Sequence, residues 1–255
     1  MKMQERFHVV LLKGGFGPER DVSLESAKAC SKAIKENGFK LTEFDYATMN
    51  INKLISIKPD VCFNALHGDS GENGSIQGLL NVLKIPYTHS GVKASAIAMN
   101  KIIFKRLITK TTENSSDPIF FPKTLHINEG EKLSVDNYKG SYVIKPKSGG
   151  SSVGVKIVKE QDAIPLKKDF AFNDIMAEEF VGSTELTVTV LKDKPLCVTE
   201  IKAGQDKDFY NYNAKYEKNG STHQIPAQIP DSIYKKAMSW ASRVHKIIGC
   251  KGISR

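Results

Sequence analysis

At 255 residues and 40% hydrophobic, the chain has apolar content for one large core or two modest ones. Lys+Arg 37 against Asp+Glu 28 gives +9, but the lysines are dispersed without a long basic run, so a small polyanion is expected as partner and nucleic acid is not. Four scattered cysteines, no apolar leader and no membrane-length apolar run together predict a cytoplasmic protein with free thiols and no membrane partner.

Phe7–Leu12 predicts a buried strand, followed by a glycine-rich turn from Lys13 to Arg20. Leu24, Ala27, Cys30 and Ile34 then keep helical spacing until Asn37-Gly38 stops the helix. A helix start favours an anion, yet Glu19 and Asp21 stand there. Acid at that place suits an ammonium-bearing ligand, or simply the helix dipole. Leu41–Tyr46 and Asp60–Leu66 predict two more strands. The second of them runs into His67-Gly-Asp-Ser-Gly-Glu-Asn-Gly74, a crowded loop at a strand end, where open α/β sheets bind ligands. His67 reads there as either structural or catalytic. Ser75–Leu83 and Val92–Met99 predict helices, with Ile85–Thr88 extended between them. This βαβα rhythm over residues 7–100 predicts a doubly wound layer on a mostly parallel sheet.

Lys101–Thr109 predicts a basic amphipathic helix, and Thr112–Pro118 has loop composition. Strands are then expected at Ile119–Phe121, Tyr142–Lys145, Val153–Val158 and Ile175–Glu178, making a β-rich lobe. Within it, Lys145-Pro-Lys-Ser-Gly-Gly-Ser-Ser-Val-Gly154 sets a lysine before paired glycines and serines. Unhindered N–H groups on such a loop can turn toward phosphate oxygens. Because the lysine precedes the glycines, a strand–loop–strand lid over a nucleotide fits better than a P-loop. A hairpin turn beside a solvated lysine is the alternative. Leu186–Leu191 and Pro195–Ile201 predict a hairpin, and Asp208–Tyr216 a large loop. Pro230-Asp231 opens a helix with Ile233, Ala237, Trp240, Val244 and Ile247/Ile248 on its apolar face, stopped by Gly249.

Seven ordered segments resemble the D-alanine–D-alanine ligase family of the ATP-grasp superfamily. They are Gly14–Leu24, Ala65–Gly74, Pro86–Gly91, Ala98–Lys101, Val143–Gly154, Phe209–Tyr216 and Gly249–Arg255. The resemblance implies a mixed fold, α/β then α+β: an N-terminal doubly wound α/β substrate lobe (1–100), a central ATP-grasp lobe with the glycine-rich lid (101–184) and an incomplete C-terminal ATP-grasp lobe (185–255). It implies ATP-dependent joining of two D-alanines through an acyl phosphate, for peptidoglycan precursors, in a homodimer formed by the N-terminal lobe. By the resemblance, Glu19 holds the first substrate's ammonium, with His67 near that substrate. Lys101 and Lys145 bind phosphate, with Ser151 and Ser152 on the lid. Glu178, Glu179 and Val181 fall on the adenine hinge, and Glu185 where ribose is bound. Lys215 faces phosphate, Tyr216 orients the attacking amine with Ser151 and Glu19, and Arg255 stabilises the oxyanion.

Some positions depart from the family pattern: Asn100 stands for an aspartate, His89 for a glycine, and Asn211 and Asn213 where acids are common. The family's magnesium ions are held by an Asp, a Glu and an Asn after the arginine, whereas no Asp or Glu follows Asp231 here. Magnesium is therefore expected of the family while its ligands are absent from this chain, and impaired turnover is expected. A non-catalytic remnant that binds nucleotide or D-alanine, and another ATP-grasp carboxylate–amine ligase, are the alternatives.

Overall fold

A computed structural model describes residues 7–128, 130–136, 138–170, 174–182, 184–203 and 220–255. The chain forms two compact units: unit 1 is Met1–Met99, Thr189–Pro195 and Ala241–Arg255, and unit 2 is Asn100–Val188 and Leu196–Trp240.

In unit 1, β1 (His8–Lys13), β2 (Lys40–Asp45) and β3 (Val61–Asn64) make a sheet of order β2-β1-β3, parallel throughout. The central strand reads as an unbroken apolar run because both its faces are covered. Val10 and Leu12 enter a cluster with Phe44, Leu54, Cys62, Leu66, Ile76 and Leu80. Val9 and Leu11 join Ala27, Ile34 and Ala65 on the other face. The helices are α1 (Arg20–Glu36), α2 (Ile51–Ile57), α3 (Asp69–Glu72), α4 (Ser75–Val82) and α5 (Val92–Met99). Tyr87 adds an isolated parallel bridge to Cys62. Since β1 and β3 run the same way, the loops that follow them leave from the same end of the sheet.

Unit 2 opens with α6 (Lys101–Thr112), which Asn100 caps by accepting the Ile102 and Ile103 N–H groups at 3.1 and 3.0 Å. An antiparallel sheet follows in the order β4-β7-β5-β6, with β4 at Thr124–Leu125, β5 at Tyr142–Pro146, β6 at Lys156–Val158 and β7 at Ile175–Glu179. Tyr142, Ile144 and Ala177 point into a core with Leu125, Leu133 and Val158. Strand alternation sends Lys145 and Glu178 to the opposite face, where Glu178 stands across from Val143 and Lys145 from Met176.

β8 (Glu185–Leu191) turns into β9 (Lys194–Ala203) through Lys192 and Asp193, both left-handed at φ 47° and 67°. In unit 2, β10 (Ser221–Gln224) pairs antiparallel with β9. The long helix α7 (Asp231–Ile248) ends where Gly249, at φ +77°, lets the Gly249 and Cys250 N–H groups reach back to Lys246 and His245 carbonyls. In unit 1, β11 (Ile253–Ser254) then pairs antiparallel with the end of β8. The buried His245 ties these returning pieces together, with Nδ1 2.6 Å from Ser254 Oγ and Nε2 3.2 Å from Asp193 Oδ1. Lys251 N–H donates to Ser90 Oγ at 3.2 Å, so the segment carrying Arg255 is held at both ends.

Two expected strands differ. Ile119–Phe121 is irregular, and the ladder begins only at Thr124, because Pro118 and Pro122 bracket the segment without donors. Residues 151–154 form a turn, not the start of a strand: Ser151, Ser152 and Gly154 are left-handed at φ 50°, 58° and 71°, and β6 starts at Lys156. The expected loop at Asp208–Tyr216 lies outside the described residues. No described helix is long and apolar enough to cross a membrane.

Candidate active site

In unit 1 the two loops after β1 and β3 are fastened by one hydroxyl. Buried Ser23, on the first turn of α1, accepts the Gly14 N–H at 2.8 Å and donates to the Ala65 carbonyl at 2.7 Å. Arg20 grips Asp45 with both nitrogens, at 2.8 and 2.5 Å, and donates to the Gly15 carbonyl at 3.0 Å. That grip, chiefly the hydrogen bond from Arg20, lowers the Asp45 carboxyl to about 2. Gly14 packs so closely on this pair that a Cβ would stand 2.4 Å from Asp45 Oδ1.

Glu19, at the start of α1, is only 5% exposed. Its carboxylate lies against Gly68, where φ is +68° and a Cβ would come within 2.3 Å of Glu19 Oε2. His67, one residue earlier, places Nε2 3.0 Å from Ser26 Oγ. Burial holds the His67 imidazole below its ordinary pKa, with Glu19 pulling up and Arg255 pushing down. The Glu72 carboxyl is pushed up by desolvation and by Glu19, against a hydrogen bond from Gly68 and the charge of Arg255. Glu19, His67 and Arg255 thus share one electrostatic neighbourhood, although the sequence sets them far apart.

In unit 2, α6 and the glycine loop are stapled together. Lys101 N–H donates to the Lys147 carbonyl and Lys101 Nζ to the Gly149 carbonyl, each at 2.8 Å, and Asn100 bridges Ser148. Burial, and then the neighbouring Lys145, lower the Lys101 ammonium to about 8, with Glu178 opposing. Glu178, 4% exposed, receives Lys105 on Oε1 at 2.6 Å and Lys145 on Oε2. Burial works to raise this carboxyl, but the two lysine hydrogen bonds outweigh it and leave it below the usual range.

Of the remaining expected residues, Ser151 and Ser152 form the left-handed turn of the loop. Glu179 accepts the Lys123 N–H at 2.8 Å, Val181 is 54% exposed, and Glu185 begins β8 at the surface. Lys215 and Tyr216 lie outside the described residues. Glu178, on the same expected hinge, has its side chain turned inward onto two lysines. Lys105 and Ser26 were not singled out by sequence reasoning. Lys105 stands four residues after Lys101 and so on its helix face, which was a usable signal; a serine seven residues past an acid was not.

A family profile described as D-ala D-ala ligase C-terminus matches residues 126–255, and one described as D-ala D-ala ligase N-terminus matches residues 45–90. The D-alanine–D-alanine ligase of Zymomonas mobilis is 42% identical over 99% of this chain and 78% of its own length. The chain belongs to the D-alanine–D-alanine ligase family. A crystal structure of the Bacillus anthracis D-alanine–D-alanine ligase superposes with a TM-score of 0.76 at 25% identity, covering 97% of this chain and 80% of that one. The same enzyme complexed with ATP gives 0.73 at 22% identity, covering 97% and 79%. A mixed α/β, ATP-grasp architecture for this member follows from those likenesses.

Proposed function

We propose that the chain is an ATP-dependent D-alanine–D-alanine ligase, working in the cytoplasm on peptidoglycan precursors, with lobes at 1–100, 101–184 and 185–255. The observation that carries this reading is that buried Glu19, its carboxylate packed against Gly68, stands beside His67, with Arg255 bearing on the same imidazole. A buried carboxylate beside a histidine held below its ordinary pKa is a seat for an ammonium, and the arginine supplies a cation for charge developing at the reacting carbonyl. In unit 2, Lys101 and Lys145 beside the left-handed glycine loop supply a phosphate cradle.

On this reading the carboxylate of the first D-alanine takes the γ-phosphoryl group of ATP, releasing ADP and leaving an acyl phosphate. Glu19 keeps that substrate's ammonium in place while the neutral amine of the second D-alanine attacks the acyl carbon. Arg255 balances the oxyanion, which collapses to the amide as phosphate leaves and the attacking nitrogen gives up one proton to the departing phosphate. Ser151 and Tyr216 orient the incoming amine, Lys215 contacts phosphate, Glu178, Glu179 and Val181 line the adenine, and Glu185 holds the ribose. Magnesium accompanies ATP in the family reading. Among the described residues no group of three or more His, Cys, Asp or Glu is placed to hold a metal.

The test is ADP release in the presence of ATP, magnesium and D-alanine, with the dipeptide product identified by mass. D-alanine-dependent ADP and dipeptide are expected, at a turnover well below that of the longer relatives, and replacing D-alanine by L-alanine abolishes both. Saturable ATP binding with no dipeptide would overturn the ligase reading in favour of a binding-only protein. The homodimer proposed through the N-terminal lobe is checked by light scattering, where a monomeric mass rejects it.

A further inference from the structure

Lys105 sits one helical turn beyond Lys101 on α6, with its side chain 14% exposed. Its ammonium donates to Glu178 Oε1 at 2.6 Å, to the Pro122 carbonyl at 2.7 Å and to Thr124 Oγ1 at 3.0 Å. Three donors meet three acceptors, so the group has nothing left to offer a ligand. The Phe121 ring, its centroid 5.9 Å from Nζ, covers it further. A lysine fixed in this way can influence an anion only through its charge and through Glu178.

Glu178 is shared. One carboxylate oxygen faces Lys105 and the other faces Lys145, which the phosphate-binding reading assigns to the nucleotide. Lys145 and Glu178 alone would form a neutral pair, and a neutral pair draws a phosphate only weakly. Adding Lys105 leaves these three groups with one unbalanced positive charge on the side of Lys145. In surroundings poor in water an unbalanced charge attracts an anion far more strongly than a dipole does.

We propose that Lys105 is a positioning residue of the nucleotide half-site: by neutralising Glu178 it leaves the Lys145 ammonium available to a phosphate group. The inference rests on the ATP-binding reading above. It differs from a purely mechanical role, in which Lys105 only straps α6 to residues 122–124, because that role would affect every ligand alike.

Calorimetric titration of ATP and of adenosine into the parent chain, Lys105→Met, Lys105→Arg, Glu178→Gln and Lys105→Met/Glu178→Gln separates the two. Lys105→Met weakens ATP about tenfold and adenosine less than about twofold, while Lys105→Arg stays near the parent. In the Glu178→Gln background the methionine has little further effect, since no carboxylate remains to be neutralised. Equal weakening of ATP and adenosine, or unchanged ATP binding, overturns the proposal. If circular dichroism shows that Lys105→Met does not fold, Lys105→Arg decides: retained ATP affinity supports the charge account, and a folded arginine variant with affinity about tenfold lower overturns it. A parent chain that binds no ATP overturns the nucleotide reading itself, and the parent control reveals that before any variant is compared.

Discussion

Asp45 fastens two pieces of backbone with one carboxylate, gripping Arg20 and through it the Gly15 carbonyl, and accepting the Ala47 N–H at 3.0 Å. Its folded pKa of about 2 lies below the ordinary 3.8, so it contributes stability that is present above about pH 4 and lost as pH falls through about 2. Asp45→Asn is expected to cost about 1 kcal/mol at neutral pH, allowing for the partly exposed Arg20, and the difference from the parent should shrink to nothing in strong acid. Urea unfolding at a series of pH values measures it. Gly68 presents a sharper case, because its left-handed backbone and the Glu19 carboxylate both exclude a side chain. Gly68→Ala is expected to cost about 2 kcal/mol in thermal unfolding and to weaken D-alanine binding as Glu19 is displaced. Glu19 was visible in the sequence as an acid where a phosphate site would want none. Its crowding by Gly68 was not, since a glycine gives no sign of which atom occupies the space left by its missing side chain.

α6 and the glycine loop behave as one element, joined at Asn100, Lys101 and Lys147. With its ammonium lowered to about 8 by burial and by Lys145, Lys101 carries its charge at pH 7 and sheds it as pH rises past 8. ATP affinity should therefore fall above pH 8 in the parent, whereas in Lys101→Arg this part of the fall disappears because arginine stays protonated. A calorimetric series from about pH 7 to about pH 9 checks the sign. Asn100→Ala removes the cap and is expected to cost about 1 kcal/mol of stability, read by denaturant midpoint. Capping also accounts for asparagine at a place where the family pattern has aspartate, since either side chain can accept the same two N–H groups. Element types with a clean period were legible, as for β1, α1 and β5. Ile119–Phe121 misled because its composition is that of a strand, while the neighbouring prolines decide the pairing. In 151–154 the valine pattern concealed a run of left-handed residues.

Unit 1 is assembled from three separate stretches of chain, the last two contributing the β8 end, β11 and buried His245. A fragment of residues 1–99 is thus expected to unfold at lower urea than unit 1 does in the whole chain, having lost the packing of His245 and the Ser90–Lys251 link. Equal midpoints by circular dichroism would reject that. Local periodicity foretold the parallel layer over 7–100, because each strand and helix there keeps its own period, although β2 and β3 flank β1 and do not pair with each other. It could not foretell that β11 returns to β8, since such pairing joins distant residues and leaves no local repeat. Unit 2 holds the chain's sole tryptophan, whose indole N–H donates to Asp117 at 2.7 Å while Lys236 lies 4.9 Å over the ring. Fluorescence excited selectively in that indole therefore reports on the packing of α7 against the segment after α6, where the ring also meets Phe120. Its emission colour and quenching give an optical gauge of that contact, needing no dye and no second label.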